Sequence, residues 1–200
     1  GAQRGKTVRL VLDGKNLQHA TELAVSGSAS AAAFSAKLVQ DDETAKNPNR
    51  ARADVTIPAD AAPGVVRVSI KSPVGNTAEL PFAITAFPEV IEAGANEAQS
   101  TAPKITLPAT LVGSLDRAGD TDYYRFDAAA GQQLGIEVVG SAIGSKLEPV
   151  LTLTDASSRV LTEAAGSLVG YTLERAGTYV LRVRDVDYRG SGEMFYRLNL

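Results

Sequence analysis

Gly119-Asp120-Thr121-Asp122-Tyr123-Tyr124-Arg125-Phe126-Asp127 is the stretch on which the fold turns. A turn of short polar residues leads into a run that alternates. Strand side chains repeat every two residues, so Tyr124 and Phe126 share one face while Tyr123, Arg125 and Asp127 share the other. The same logic extends outward. Leu111 to Leu115 precedes it as a strand; Gly131 breaks the chain before Leu134-Gly135-Ile136-Glu137-Val138. Val150 to Leu153 runs into the turn cluster Asp155 to Ser158, and Val160-Leu161 follows. Gly177 opens another turn before Tyr179 to Val183, with Arg182 and Arg184 expected on the solvent face, and Phe195 to Leu200 ends the chain. Eight or nine strands with almost no helical period describe a jelly-roll or immunoglobulin-like sandwich.

Upstream the residues are smaller but the pattern holds. Thr7 to Leu12 alternates towards the turn dipeptide Asp13-Gly14, and Ala53 to Ile57 alternates into Pro58. Val66, Val68 and Ile70 fall on one face, with Arg67, Ser69 and Lys71 on the other; Thr77 to Ile84 is the expected hairpin partner. Strands at about ten-residue spacing with Gly, Pro and Asn between them again indicate a sandwich. Ser26 to Ala36, rich in Ser and Ala, fits a flat edge strand, a loop or a helical turn and stays unassigned.

Aromatic residues and charge divide the chain. All six tyrosines lie beyond residue 120, whereas the first part has only Phe34, Phe82 and Phe87. Residues 1–88 carry 10 Lys and Arg against 8 Asp and Glu, and residues 89–200 carry 10 against 15, giving +2 and −5. Between the two regimes, Phe87 to Ser100 is acidic, rich in small residues and without a sustained period. The expectation is an all-β chain of two β-sandwich domains, an immunoglobulin-like one at 1–86 and a jelly-roll-like one at 103–200, joined by a short acidic linker at 87–102.

Composition excludes several functions. With no cysteine and a single histidine, His19, thiol nucleophiles, disulfides and Cys/His zinc sites cannot be built. No clustered basic surface is present to track phosphates; Arg50 and Arg52 alternate along a strand, so no nucleic-acid partner is expected. The longest uncharged stretch, Leu23 to Ala36, is shorter than the roughly 18 apolar residues of a span, so no membrane insertion is expected. The chain opens at Gly1 without an apolar leader, as a mature or excised fragment would, and location is not read from a signal peptide.

Residues 105–200 resemble the bacterial pre-peptidase C-terminal domain, a family that includes the collagen-binding modules of secreted collagenases. The resemblance is carried in order by Leu111-Val112-Gly113-Ser114-Leu115, Gly119 to Phe126, Ala130-Gly131-Gln132, Leu147 to Leu153, Ala176-Gly177-Thr178-Tyr179, Arg182 to Asp185 and Tyr196-Arg197-Leu198. The family's Asp-rich loop is shortened here to Thr162-Glu163-Ala164-Ala165-Gly166-Ser167. Residues 1–86 look like the IPT/TIG immunoglobulin-like modules that often precede such a domain. Gly5 to Leu17, Ala53 to Pro58 and Pro63 to Val68 carry that likeness.

Candidate chemistry is sparse. His19 sits in a turn, and no Gly-x-Ser-x-Gly elbow accompanies it. Asp41 and Asp42 would point to opposite faces if extended, and their surroundings read as a solvated loop; Asp185 and Asp187 follow a strand, where a turn or ion pair is expected. Asp116, Asp120 and Asp122, with Glu92, Asn96 and Glu97 upstream, concentrate the hard oxygen ligands that calcium takes. The resemblance implies more: in calcium-binding members an acidic linker ending in Asn-Asp meets the Asp-x-Asp turn, and Glu92, Asn96, Glu97, Asp120 and Asp122 fall on those positions. Gly94 and Ala95 depart from the acid and proline usual there. The resemblance also implies a non-catalytic accessory pair of a larger secreted or cell-surface bacterial protein, a spacer and domain-organising unit whose partners are other domains of its parent. A module that binds a fibrous protein or polysaccharide through exposed tyrosines is the alternative; a hydrolase using His19 or a carboxylate pair is the reading from another class. The family's collagen-contacting residues do not map onto this sequence by motif.

Overall fold

The computed structural model describes residues 1–27 and 34–200, and its contacts cluster into two units, Gly1–Ala86 and Phe87–Leu200. The first contains β1 (Ala2–Gln3), β2 (Thr7–Asp13), β3 (Glu22–Ser26), β4 (Ser35–Val39), a five-residue helix α1 (Asp42–Lys46), β5 (Arg50–Thr56), β6 (Gly64–Ser72), β7 (Gly75–Asn76) and β8 (Leu80–Thr85). One sheet runs β1-β8-β6-β3, with β7 also on β6; the other runs β2-β5-β4. Val55 of β5, with Ile57 just after it, and Val66, Val68, Ile70, Phe82 and Ile84 of the β8-β6 sheet belong to the buried core. The unassigned stretch 26–36 lies in part, at 28–33, outside the described residues.

Two local readings are corrected. Asp41 and Asp42 do not lie in a loop: Asp41 Oδ1 accepts from the amides of Glu43 at 3.1 Å and Thr44 at 2.9 Å, and the Thr44 hydroxyl accepts from the Asp41 amide at 2.9 Å. That reciprocal capping box begins α1, and Asp41 also receives Arg52 at 2.6 Å. The partner of β6 is split as well. Gly75–Asn76 closes a tight hairpin on Lys71 and Ser72, and only Leu80–Thr85 returns antiparallel along Gly64 to Val68.

The second unit contains β9 (Glu89–Ile91), β10 (Thr110–Ser114), β11 (Thr121–Ala128), β12 (Gln133–Val139), β13 (Pro149–Asp155), β14 (Val160–Ala165), β15 (Leu168–Thr172), β16 (Gly177–Asp185) and β17 (Phe195–Asn199). Its sheets are β15-β12-β17-β10-β9 and β11-β16-β13-β14. Tyr124 and Phe126 point inward as their alternation requires, and Phe126 stacks on Tyr179 with ring centroids 6.1 Å apart. The chain is all-β, two sandwiches whose sheets close on separate hydrophobic cores.

Arg182 and Arg184 are not simply solvated. Register lines up Arg182, Thr152 and Glu163 across β16, β13 and β14. Arg182 Nη2 donates to Thr152 Oγ1 and Glu163 Oε2, both at 2.9 Å, while the Arg184 guanidinium lies 4.6 Å from the Tyr188 ring centroid. Pairing across the strands for Arg182, and with the Tyr188 ring for Arg184, leaves both side chains only partly exposed, which alternation alone does not reveal.

The acidic stretch between the two regimes is built into the second sandwich. Glu89–Ile91 runs parallel to Thr110–Val112, and the Glu92 amide donates to Val112 O at 2.8 Å. Further on, Tyr123 N donates to Asn96 O at 2.8 Å, Arg125 N to Pro103 O at 3.0 Å and Ile105 N to Arg125 O at 2.8 Å. The segment therefore covers the free edge of β10 in one sheet and of β11 in the other. Three paired residues are too few to show a period of two in the sequence.

Candidate metal centre beneath the 92–97 segment

Between those two covered edges lies a cluster of buried polar side chains. Asp122 and Tyr124 come inward from β11, Tyr196 comes from β17 in the opposite sheet, and Asn96 closes from the segment above. All four are at least 98% buried. Asn96 Nδ2 donates to Tyr124 Oη at 3.4 Å, the two tyrosine hydroxyls are 2.7 Å apart, and Tyr196 Oη donates to Asp122 Oδ2 at 2.6 Å. Since Tyr196 spends its proton on Asp122, Tyr124 is the donor between the tyrosines. The chain of donors ends on a carboxylate.

Asp122 Oδ1, the other oxygen, is buried and has no hydrogen-bond partner. Burial raises this carboxyl to about 7; Tyr196 and, least, the Asn96 amide oppose the rise, and the nearby charges of Glu92 and Asp120 add to it. Glu92 is pushed up as well, by burial first, against the Ser114 amide that its Oε2 accepts at 2.9 Å. Asp120 Oδ2 accepts from Asp116 N at 2.8 Å and its Oδ1 from Thr121 N at 3.1 Å. The tyrosine hydroxyls are held far into their protonated range, mainly by burial. An unmet carboxylate oxygen close to two further acids has two chemical remedies, a proton or a cation.

The residues expected at a metal site are placed as follows. Glu92, Asn96, Asp120 and Asp122 belong to one electrostatically linked cluster. Glu97 is engaged elsewhere, its Oε1 on Arg117 Nη2 at 3.1 Å. Among the described residues no three His, Cys, Asp or Glu side chains stand in metal-holding geometry. The carboxylates nonetheless suit a hard cation: their donor atoms are oxygens, one of them is orphaned, and a carboxylate oxygen that accepts one amide keeps a second lone pair, whereas Asn96 faces the cluster through Nδ2. A groove of about 430 Å³ lined by Ile91, Glu92, Gly94, Ser114 and Asp116 leads to Glu92 from solvent.

Sequence reasoning missed Tyr124, Tyr196 and Gly113. A Cβ on Gly113 would lie 2.5 Å from Tyr196 Oη and 2.6 Å from Glu92 Oε2, so only glycine lets both side chains meet over β10. Tyr196 stands 74 residues from Asp122, so no local pattern in the sequence joins the two. The other candidates are accounted for locally. His19 is exposed at the end of a single 3-10 turn. Asp185 is fully buried and accepts from Arg189 and from the amides of Glu148, Asp187 and Arg189, while Asp187 stands 3.9 Å from Arg189.

The class defined so far is a two-sandwich all-β chain with an enclosed acidic cluster in its second unit. No family model matches the chain, and no curated protein matches it. Among solved structures, it is similar to the pre-peptidase C-terminal domain of a collagenase from Bacillus anthracis, at 25% identity over 49% of this chain and 92% of that one, with a TM-score of 0.39. It is also similar to PliG of Aeromonas hydrophila, a periplasmic inhibitor of g-type lysozyme, at 19% identity over 56% and 93% of the chains, TM-score 0.39. A third is SGBP-B of the mixed-linkage glucan utilization locus of Bacteroides ovatus, in complex with a mixed-linkage heptasaccharide, at 13% identity over 98% and 70%, TM-score 0.31. At these TM-scores none of the three likenesses carries a role over to this chain. No helix among the described residues is long and apolar enough to cross a membrane.

Proposed function

We propose that the chain is a non-catalytic pair of modules, IPT/TIG-like at 1–86 and pre-peptidase C-terminal-like at 103–200, joined through 87–102. It serves as spacer and domain-organising unit of a larger exported bacterial protein, with other domains of that protein as its partners. Its second module holds a calcium ion that fastens the 92–97 segment onto the sandwich. The observation that carries the cation is Asp122 Oδ1, fully buried, unpartnered and coupled to two further acids. Asp122, Asp120 and Glu92 would hold the ion, joined by the Asn96 oxygen once its amide, which here presents Nδ2, turns over; the ion would supply charge neutralisation and cross-linking rather than chemistry on a substrate. Affinity should be modest. Gly94 stands where a further carboxylate would be, and ordering backbone costs about 1–2 kcal/mol per residue.

Supporting the accessory role, the most perturbed ionisable groups are sealed between sheets rather than open to a substrate. Calorimetric titration with calcium and thermal melts at pH 8 test the reading. Calcium at about a hundred times its dissociation constant should stabilise the native state by roughly 2.7 kcal/mol, and Asp122→Ala should abolish both heat and shift. No heat and no shift in the wild-type chain would leave a proton as the only remedy for the cluster.

A further inference from the structure

The outer face of β12, towards Asn199 of β17 and the Leu107-Pro108 bend and with Leu168 of β15 at its rim, carries a groove of about 480 Å³ that the cation site does not explain. Gly135 lines its floor with bare backbone, and a second glycine lies beside the groove on the neighbouring strand. Gly135 in β12 lies directly opposite Gly170 in β15, both are exposed, and a Cβ on either would meet nothing within 4 Å. Neither has the positive φ that would call for glycine. A glycine inside a strand sacrifices roughly 0.5–1 kcal/mol relative to residues that restrict the chain, and a β-branched residue would pack better there. Two in register, with neither backbone nor packing requiring them, mark a place where something else approaches the main chain.

The walls indicate what that is. On one side of the floor Leu168, 74% exposed, stands opposite Glu137, which is in turn opposite Asn199 on β17. Asn199 Nδ2 donates to Glu137 Oε2 at 3.0 Å, and Asn199 Oδ1 accepts from Thr110 Oγ1 at 2.8 Å, so the planar pair is fixed in orientation. That leaves Glu137 Oε1 and the second amide hydrogen of Asn199 for an incoming group. On the other side is Gln133, opposite Thr172. Half-buried Phe87 and Leu107 add an apolar wall. Apolar surface beside fixed, planar donors and acceptors matches a ring with C–H faces and an equator of hydroxyls. The lone carboxylate, with no Lys or Arg lining the groove, disfavours an anionic ligand.

We infer that this face binds a neutral oligosaccharide, a pyranose lying flat over Gly135 with its hydroxyls on Glu137, Asn199 and Gln133 and with room for it to extend over Gly170. The site is separate from the cation cluster and does not depend on it. An extended peptide is the competing occupant, and it would pair with the free edge of β15 rather than lie on the floor.

Calorimetry of the full chain with cellohexaose, xylohexaose, mannohexaose and chitohexaose, against hexagalacturonate and an unstructured peptide, tests it. At least one neutral hexasaccharide should bind at millimolar concentration or better. Gly135→Val should fill the floor, weakening that binding by about tenfold or more while leaving the melting temperature unchanged or raised. Glu137→Ala, at an exposed position, should weaken binding without unfolding and serves if Gly135→Val misfolds. Asp122→Ala should leave sugar binding intact, which separates this site from the calcium reading. The inference is overturned if no neutral sugar binds, if Gly135→Val and Glu137→Ala both bind as the wild-type chain does, or if hexagalacturonate or the peptide binds in preference.

Discussion

Raising the pH from 4 to 8 with a chelator present is expected to destabilise the second unit by about 4 kcal/mol, because the Asp122 carboxyl lies at about 7 in the folded chain against 3.8 when unfolded. The sign follows from which state binds the proton more tightly. A carboxyl whose folded pKa is raised contributes no penalty below the unfolded value, an increasing one as pH climbs between the two, and a constant one above about 7. Glu92, raised in the same direction, adds to the slope. Urea melts of the chelated chain at pH 4, 5, 6, 7 and 8 should show the decline, with calcium removing most of it at pH 8. Asp122→Asn should flatten the profile, since the group no longer ionises. A chelated protein as stable at pH 8 as at pH 4 would contradict a buried, unmet charge.

Asp185→Ala has the second large effect. Asp185 is fully buried at the end of β16, where burial would raise its carboxyl, yet the Arg189 guanidinium and the amides of Glu148, Arg189 and Asp187 hold it down at about 2. Removing it strips an acceptor from several donors at once, and the expected loss at neutral pH is about 3 kcal/mol. Asp185→Asn should cost nearly as much, because an amide NH₂ would meet donors where an oxygen is needed. In acid the direction is opposite to that of Asp122. A depressed carboxyl contributes stability above its unfolded value, and the contribution, about 2 kcal/mol here, is lost as pH falls from about 4 to about 2. Denaturant melts of wild type and variant at pH 7 and pH 2 check both claims: the two should differ widely at neutrality and converge in acid.

Strand alternation made much of the fold legible. Tyr124, Phe126, Val66, Val68 and Ile70 point inward as period two requires, because each has a buried sheet face to fill. What stayed hidden depends on partners distant in sequence. Arg182 reads as solvated until Glu163 and Thr152 are set beside it by register. Asp41 reads as a loop acid because a five-residue helix is shorter than the window in which a helical period shows. The acids and the amide of the candidate site could be named from their oxygen chemistry. Tyr196 and the Gly113 clearance could not, since both arise only when the two sheets face each other.

The central claim is that a cation at Asp122 fastens the 92–97 segment over the second sandwich, and amide hydrogen exchange at pH 8 with and without calcium tests it most directly. The amides of Glu92 and Tyr123, which donate to Val112 O and Asn96 O, report the two ends of the fastening. With saturating calcium both should exchange about tenfold or more slowly than in the chelated chain, and Asp122→Ala should erase the difference. Exchange at Glu92 and Tyr123 that is the same in both conditions would contradict the claim.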